Sequence, residues 1–381
     1  MRETIQNLQA LRGVACILVV LYHTADAEHG FGLGFAPLAW LRWFGYAGVD
    51  LFFVLSGFII ASTTANQLGQ AQALPGYLFR RFWRIYPLYW LVLGFAVLYA
   101  ACFGGDLLQS VTTAEALNHL LLLPTTDGNA PRLLPIAWTL SFEVLFYLVF
   151  ALRFLLPIRL GWLSLATWGT AVLAAAGAGW VPENRFSRLI LSPFVLEFLF
   201  GVMLTRWPLP LNLRWALGGI IVALIMMATG LLIGRHADPG GLATDIPRRV
   251  LIFGPGMALL VGSVVALERW GARCQRRWLL AAGDASYSIY LFHNLAILLV
   301  LSASMAVGWG HSRVPHLIWI ATTVGAALKA GMFLHRWAEK PLLDWGKRWI
   351  RARRRDLPGD CDRLKCQVGR ASETMSMSRA A

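Results

Sequence analysis

Charge is what this chain has least of. Only 14% of its 381 residues are Asp, Glu, Lys or Arg, against about 25% in a typical soluble domain, while 57% are hydrophobic and the mean hydropathy is +0.58. So few charges exclude a water-soluble enzyme of this size. Acidic residues are the scarcer sign, 20 against 34 basic ones, for a net charge of +14. Cysteine is sparse as well: Cys16, Cys102, Cys274, Cys361 and Cys366 are scattered, with the spacing of neither a disulfide framework nor a zinc site, so no metal is expected. A secretory signal is lacking, because the first apolar run is too long, contains Arg12 and shows no small-residue cleavage site. That run is expected to remain as an uncleaved anchor. The basic excess does not point to nucleic acid. Many of the 17 Trp stand beside basic residues at the ends of apolar runs, which is the pattern of a membrane interface.

Long apolar runs are what the chain has in abundance. A spanning helix needs about 20 mainly apolar residues, and ten windows qualify, near 10–27, 45–65, 82–103, 135–156, 162–181, 189–206, 214–234, 250–269, 286–308 and 316–338. The expected fold is all-α: a polytopic bundle of about ten transmembrane helices. Lys and Arg accumulate in alternate connections (Arg80, Arg81, Arg84; Arg153, Arg159; Arg206, Arg214; Arg269, Arg273, Arg276, Arg277) and beyond Lys340. By the positive-inside rule both termini are then cytoplasmic. Residues 1–345 form one integral-membrane domain and 346–381 a basic, disordered cytoplasmic tail resting on anionic lipid. The longest outer connection, 104–134, carries Pro124, Asp127-Gly128-Asn129, Pro131 and Pro135, and loops of this length are often binding elements.

The first span holds two polar residues, Arg12 and His23, eleven positions apart. At about 100° per residue they share one helix face, separated by about 16 Å along the axis. Two readings stand: helix-end residues reaching for opposite interfaces, or ionisable groups facing a functional path through the bundle. Other spans carry polar groups at similar depth: Asp50; Ser141 and Glu143 in Trp138-Thr139-Leu140-Ser141-Phe142-Glu143; Glu197; His293; and Glu339 in His335-Arg336-Trp337-Ala338-Glu339. Each is either an interhelical cross-link or part of a polar cavity, and Asp50 and Glu197 are candidates to pair with buried arginines. Arg81 and Arg84, three apart, neighbour each other on one face. They fit bidentate phosphate binding as well as ordinary positive-inside topology. The polar groups alone point to an enzyme with a central chamber or to a multi-pass transporter of a glycan or sugar-lipid. Such transporters commonly show inverted repeats, and no convincing repeat is visible.

Several stretches together resemble the acyltransferase 3 family of integral-membrane acyltransferases. They are Leu8-Gln9-Ala10-Leu11-Arg12-Gly13 through Leu21-Tyr22-His23, with the family's Arg/Lys, ten residues, then His; Gly48-Val49-Asp50-Leu51-Phe52-Phe53-Val54-Leu55-Ser56-Gly57; Arg81 and Arg84 with Pro87 and Tyr89-Trp90; and Trp138 to Glu143 with Phe146-Tyr147. Leu196-Glu197-Phe198, Ser286-Tyr287-Ser288-Ile289-Tyr290-Leu291-Phe292-His293 and Glu339-Lys340-Pro341-Leu342 follow in family order, covering roughly residues 5–345. Two departures stand out. Val144 occupies the place where many members have a second acidic residue, and no C-terminal hydrolase-like domain is visible, which implies the stand-alone form.

The resemblance implies a multi-pass protein of a bacterial-type inner membrane that moves an acyl group, commonly acetyl, from cytoplasmic acyl-CoA to a hydroxyl of an extracytoplasmic or lipid-linked saccharide such as O-antigen or exopolysaccharide. It implies His23 as the catalytic residue with Arg12 as its motif partner, and Arg81 and Arg84 on the CoA phosphates. Acyl-CoA is then a donor substrate and no bound cofactor is expected. General-base catalysis by a positioned imidazole, worth typically 10²–10⁴-fold, suits a weakly nucleophilic sugar hydroxyl.

Overall fold

A computed structural model describes residues 5–30, 37–124, 132–206, 212–236, 245–307 and 316–355. Every regular element among them is helical. In chain order they are α1 (Gln6–Gly30), α2 (Ala47–Thr64), α3 (Leu74–Phe103), α4 (Thr113–Leu121), α5 (Trp138–Leu155), α6 (Ile158–Gly177) and α7 (Arg185–Ile190). They continue with α8 (Phe194–Leu204), α9 (Leu213–His236), α10 (Ile246–Trp270), α11 (Arg277–Asp284), α12 (Ser286–Ala306), α13 (His316–Leu334) and α14 (Lys340–Arg355). Among the described residues ten stretches are long and apolar enough to cross a bilayer, one for each expected window.

The local chemistry explains the boundaries. Thr112 and Glu115 form a reciprocal capping box at the start of α4, and Asp245 accepts from the Arg248 amide at the start of α10, each meeting donors a helix leaves open. The sixth span is broken because Ser192-Pro193 interrupts it, a residue before proline being pushed out of the helical region. The third span starts earlier than expected, at Leu74, so Arg81 and Arg84 lie two to three turns inside α3 rather than at its mouth. Part of the expected outer loop is folded, as a 3₁₀ turn (Gly105–Leu107) and α4, and Asp127 to Pro131 lie outside the described residues.

The tail expected to be disordered from 346 proves helical through Arg355. Trp345 and Trp349, four apart, share a helix face, and their rings lie 4.8 Å from Trp83 and 4.6 Å from Phe79 of α3, so aromatic contacts hold this stretch. Residues 356–381 lie outside the described residues. A π-helical turn (His335–Glu339) joins α13 to α14.

α2 is the axis of the bundle, enclosed by α1, α5, α8 and α10. Its crossing with α8 needs two glycines: a Cβ on Gly57 would sit 2.0 Å from the Phe198 carbonyl oxygen, and one on Gly201 2.0 Å from that of Val54. Such small-residue contacts let helix backbones approach in lipid. A continuous core of Phe53, Phe142, Phe146, Phe194 and Phe198 fills the space between α2, α5 and α8. The outer face stays apolar, with Leu98, Leu224 and Phe333 exposed, as a protein solvated by acyl chains requires.

Candidate active site

α1, α2, α3, α5, α12 and α14 enclose a cavity of about 660 Å³, within the roughly 300–1,000 Å³ usual for small-molecule sites. Its lining is divided. Arg12, Arg80, Arg81, Arg84, Lys340 and Lys347 contribute six cations against three acids, Glu143, Asp284 and Asp344. The remaining lining is largely apolar or aromatic, including Val49, Phe52, Phe53, Ile59, Ile60 and Leu140. Such a space favours an amphipathic anion.

The cationic lining is tightly organised. Arg84 forms an ion pair with Glu339, whose other carboxylate oxygen accepts from Ser288 Oγ at 2.6 Å and lies 2.7 Å from His335 Nδ1. The π turn brings His335 and Glu339 together, and π insertions frequently mark functional sites. Arg84 also lies over the Tyr287 ring, 5.0 Å from its centroid. Arg81 sits over the rings of Tyr77 and Tyr147 at 5.5 and 5.2 Å and donates to Thr63 Oγ1 at 3.4 Å, while the Tyr147 hydroxyl donates to Glu143. Arg12 donates to Gln9 Oε1 at 3.2 Å, and Gln9 in turn donates to Asp284.

α1 is unbroken from Gln6 to Gly30, so Arg12 and His23 remain about 16 Å apart along the axis. His23 lies against His293 of α12, ring centroids 5.1 Å apart. His293 is fully buried; its Nδ1 is 2.6 Å from the Tyr290 carbonyl oxygen, to which it donates, and its Nε2 has no hydrogen-bond partner. Neither histidine lines the cavity. Tyr290 does, with its hydroxyl 2.7 Å from Thr139 Oγ1 and its ring 5.7 Å from that of His293. The cavity therefore reaches to within one side chain of the histidine pair.

Other candidates fall elsewhere. Asp50 lies outside the cavity lining, fully buried and bound through both carboxylate oxygens to Arg249 of α10 at 2.6, 3.0 and 3.1 Å. Glu197 is buried beside that pair, against the Asp50 carboxylate. Ser141 is buried outside the cavity lining. Glu143 lines the cavity, and Glu339 reaches it through Arg84 and His335. Among the described residues no group of three or more His, Cys, Asp or Glu could hold a metal ion.

Sequence reasoning did not single out Arg249 as the partner of Asp50. The two adjacent arginines, Arg248 and Arg249, were the available signal, because neighbours on a helix point about 100° apart and at the start of an apolar run one of them can turn inward. It also missed Gln9, Thr139, Tyr290 and His335, which stand inside motifs whose other members drew attention.

Comparison with known proteins identifies the family. The exopolysaccharide production protein ExoZ of Rhizobium meliloti (strain 1021) is 33% identical over 336 residues, 86% of this chain and 96% of ExoZ. The acyltransferase MdmB of Streptomyces mycarofaciens is 25% identical over 381 aligned positions, 88% of this chain and 91% of MdmB. The peptidoglycan O-acetyltransferase OatA of Listeria monocytogenes matches over a shorter stretch, 27% over 161 residues, 39% of this chain and 24% of OatA. No solved structure matches significantly. The family model described as an acyltransferase domain matches residues 5–336, nearly all of the membrane bundle, and the chain is therefore a multi-pass membrane protein belonging to the acyltransferase 3 family.

Proposed function

We propose that the chain transfers an acyl group, acetyl in the simplest case, from acyl-CoA to a hydroxyl of an extracytoplasmic or lipid-linked saccharide. The observation that carries this reading is a cavity, cationic and apolar by turns, that ends one side chain from His23 and His293. With both termini cytoplasmic, as the distribution of Lys and Arg favours, Arg12, Arg81 and Arg84 belong to the cytoplasmic half of the membrane and His23 to the outer half, in a bacterial-type inner membrane. ExoZ, by its name a protein of exopolysaccharide production, supports a polysaccharide as the acceptor.

In this reading Arg81 and Arg84 hold the phosphates of the donor, with Arg12 on its path, and the thioester reaches inward along Phe52, Phe53 and Leu140. Neutral His23 takes the proton of the sugar hydroxyl as its oxygen adds to the thioester carbonyl. The tetrahedral intermediate collapses with loss of the thiolate, and the proton held on His23 returns to the leaving sulfur, so ester and free thiol are the products. Placing His23 in the outer half lets the acceptor arrive from outside while CoA stays inside.

The test is glycan mass analysis of a deletion strain complemented with the wild-type gene or with His23→Ala. The wild type restores an acyl mass increment and His23→Ala does not, although it accumulates and binds acyl-CoA normally. Arg81→Ala combined with Arg84→Ala raises KM for acyl-CoA more than it lowers kcat. Normal acylation by a well-expressed His23→Ala variant refutes the catalytic assignment. Inverted vesicles that leave labelled acetyl-CoA unconsumed point instead to a transporter.

A further inference from the structure

Arg153, in the last turn of α5, is 2% exposed, and none of its three guanidinium nitrogens has a hydrogen-bond partner. Its guanidinium stacks on the Trp162 indole of α6, 3.9 Å from the ring centroid, with Phe150 at 5.5 Å. Arg206, just past the end of α8 and exposed, approaches the same indole at 5.3 Å. No carboxylate of the described residues pairs with either arginine, and the charge that bears on Arg153 is the like charge of Arg206.

Stacking satisfies the face of a guanidinium but not the N–H groups around its edge, and a buried cation with unmet donors is a costly arrangement. The helix C-termini nearby supply only a fractional negative charge. Both arginines stand at helix ends, the level at which a bilayer presents its headgroups. The Arg153 carbonyl oxygen accepts from the Gly69 amide at 2.9 Å, which places the site beside the linker that leads into α3, at the end of the bundle that carries Arg80 and Arg81.

We propose that Arg153 and Arg206 form a phosphate-binding site, apart from the donor cavity, whose occupant is the phosphate of a phospholipid headgroup or a soluble phosphate. The anion completes the donor set of Arg153 when the exposed Arg206 side chain swings aside and closes over it, and Trp162 supports both guanidiniums from below. A planar fork of donors suits phosphate oxygens bidentately.

The test titrates the full-length protein in detergent with dioleoylphosphatidylglycerol, with dioleoylglycerol and with inorganic phosphate. Binding is followed by native mass spectrometry and stability by thermal unfolding. The wild type binds the phospholipid and unfolds at a higher temperature with it; dioleoylglycerol, which lacks phosphate, does neither. Arg153→Met and Arg206→Gln each weaken phospholipid binding by about tenfold or more, the loss expected for hydrogen bonds to a charged group. Without added lipid, Arg153→Met unfolds no lower than the wild type, because it removes an uncompensated charge, whereas a merely structural stacking role would lower it. Equal stabilisation by inorganic phosphate keeps the site and assigns it to soluble phosphate. Equal binding by wild type and Arg206→Gln overturns the proposal, as does an equal effect of dioleoylglycerol. Arg206→Gln alters an exposed side chain, so it decides the matter even if Arg153→Met fails to fold.

Discussion

Neutralising Asp50 tests whether the ionic cluster around α2 holds the bundle together. Arg249 is 3% exposed, Asp50 is fully buried, and beyond the carboxylate Arg249 reaches, among the described residues, the Tyr46 carbonyl at 3.1 Å and the faces of Tyr46 and Phe194. Removing one partner of such a pair typically costs about 3–5 kcal/mol, because a buried charge is left uncompensated. At about 1.4 kcal/mol per tenfold that is roughly two to four powers of ten in the unfolding equilibrium. Glu197 moderates the loss, since it lies beside the pair and within electrostatic reach of Arg249. Asp50→Asn is therefore expected near the lower end of that range, and Asp50→Asn with Glu197→Gln near the upper end. Glu197→Gln alone, which leaves the Asp50–Arg249 pair in place, costs about 1 kcal/mol or less. Asp50→Leu with Arg249→Met removes both charges and returns to within about 2 kcal/mol of the wild type. The assay is unfolding in mixed dodecylmaltoside and SDS micelles, followed by tryptophan fluorescence. Additive losses for Asp50→Leu and Arg249→Met would refute the pairing, because coupled residues must show a recovery in the double variant.

Gly57→Ala places a methyl group where the Phe198 carbonyl oxygen stands; α2 and α8 must part, at a cost of about 1–3 kcal/mol or more in the same micelle assay. His293→Ala removes a ring that lies against His23 and is not itself part of the cavity lining, so steady-state kinetics should show at least a tenfold lower kcat with KM for acyl-CoA within about twofold, the pattern of an interaction outside donor binding. α4 loosens in acid. Burial holds the His119 pKa below its ordinary value, so the unfolded segment binds the proton more readily and protection is lost as the pH falls below about 6.5. The Thr112 backbone and side-chain bonds hold Glu115 below the usual carboxylate range, so its contribution persists through that window and is lost only as the pH falls below about 4.3 towards its folded pKa. Amide exchange over 113–121, corrected for the intrinsic pH dependence, should show both phases; Glu115→Gln removes the second.

The bundle was legible in the sequence because lipid solvation imposes a one-dimensional rule. A run of about 20 apolar residues has few options besides a spanning helix, and all ten expected windows meet a helical stretch. Boundaries and pairings obey no such rule. The start of α3 at Leu74 and the continuation of α14 to Arg355 depend on Trp345 and Trp349 meeting Trp83 and Phe79, residues more than 250 positions away in sequence. The polar residues divide along the same line. That Asp50, Glu143, Glu197, His293 and Glu339 are enclosed follows from their positions in apolar runs. That Asp50 spends its charge on Arg249, while Glu339 turns towards Arg84 at the cavity, follows from which helices touch. An isolated carboxylate in a span states only that a partner is required. Arg249 met that requirement inside the protein, and Arg153 did not. The two arginines read alike in the sequence, as cations at the ends of apolar runs. Their difference is visible only once the neighbouring helices are in place, and it is that difference which separates a structural cross-link from a site awaiting an anion.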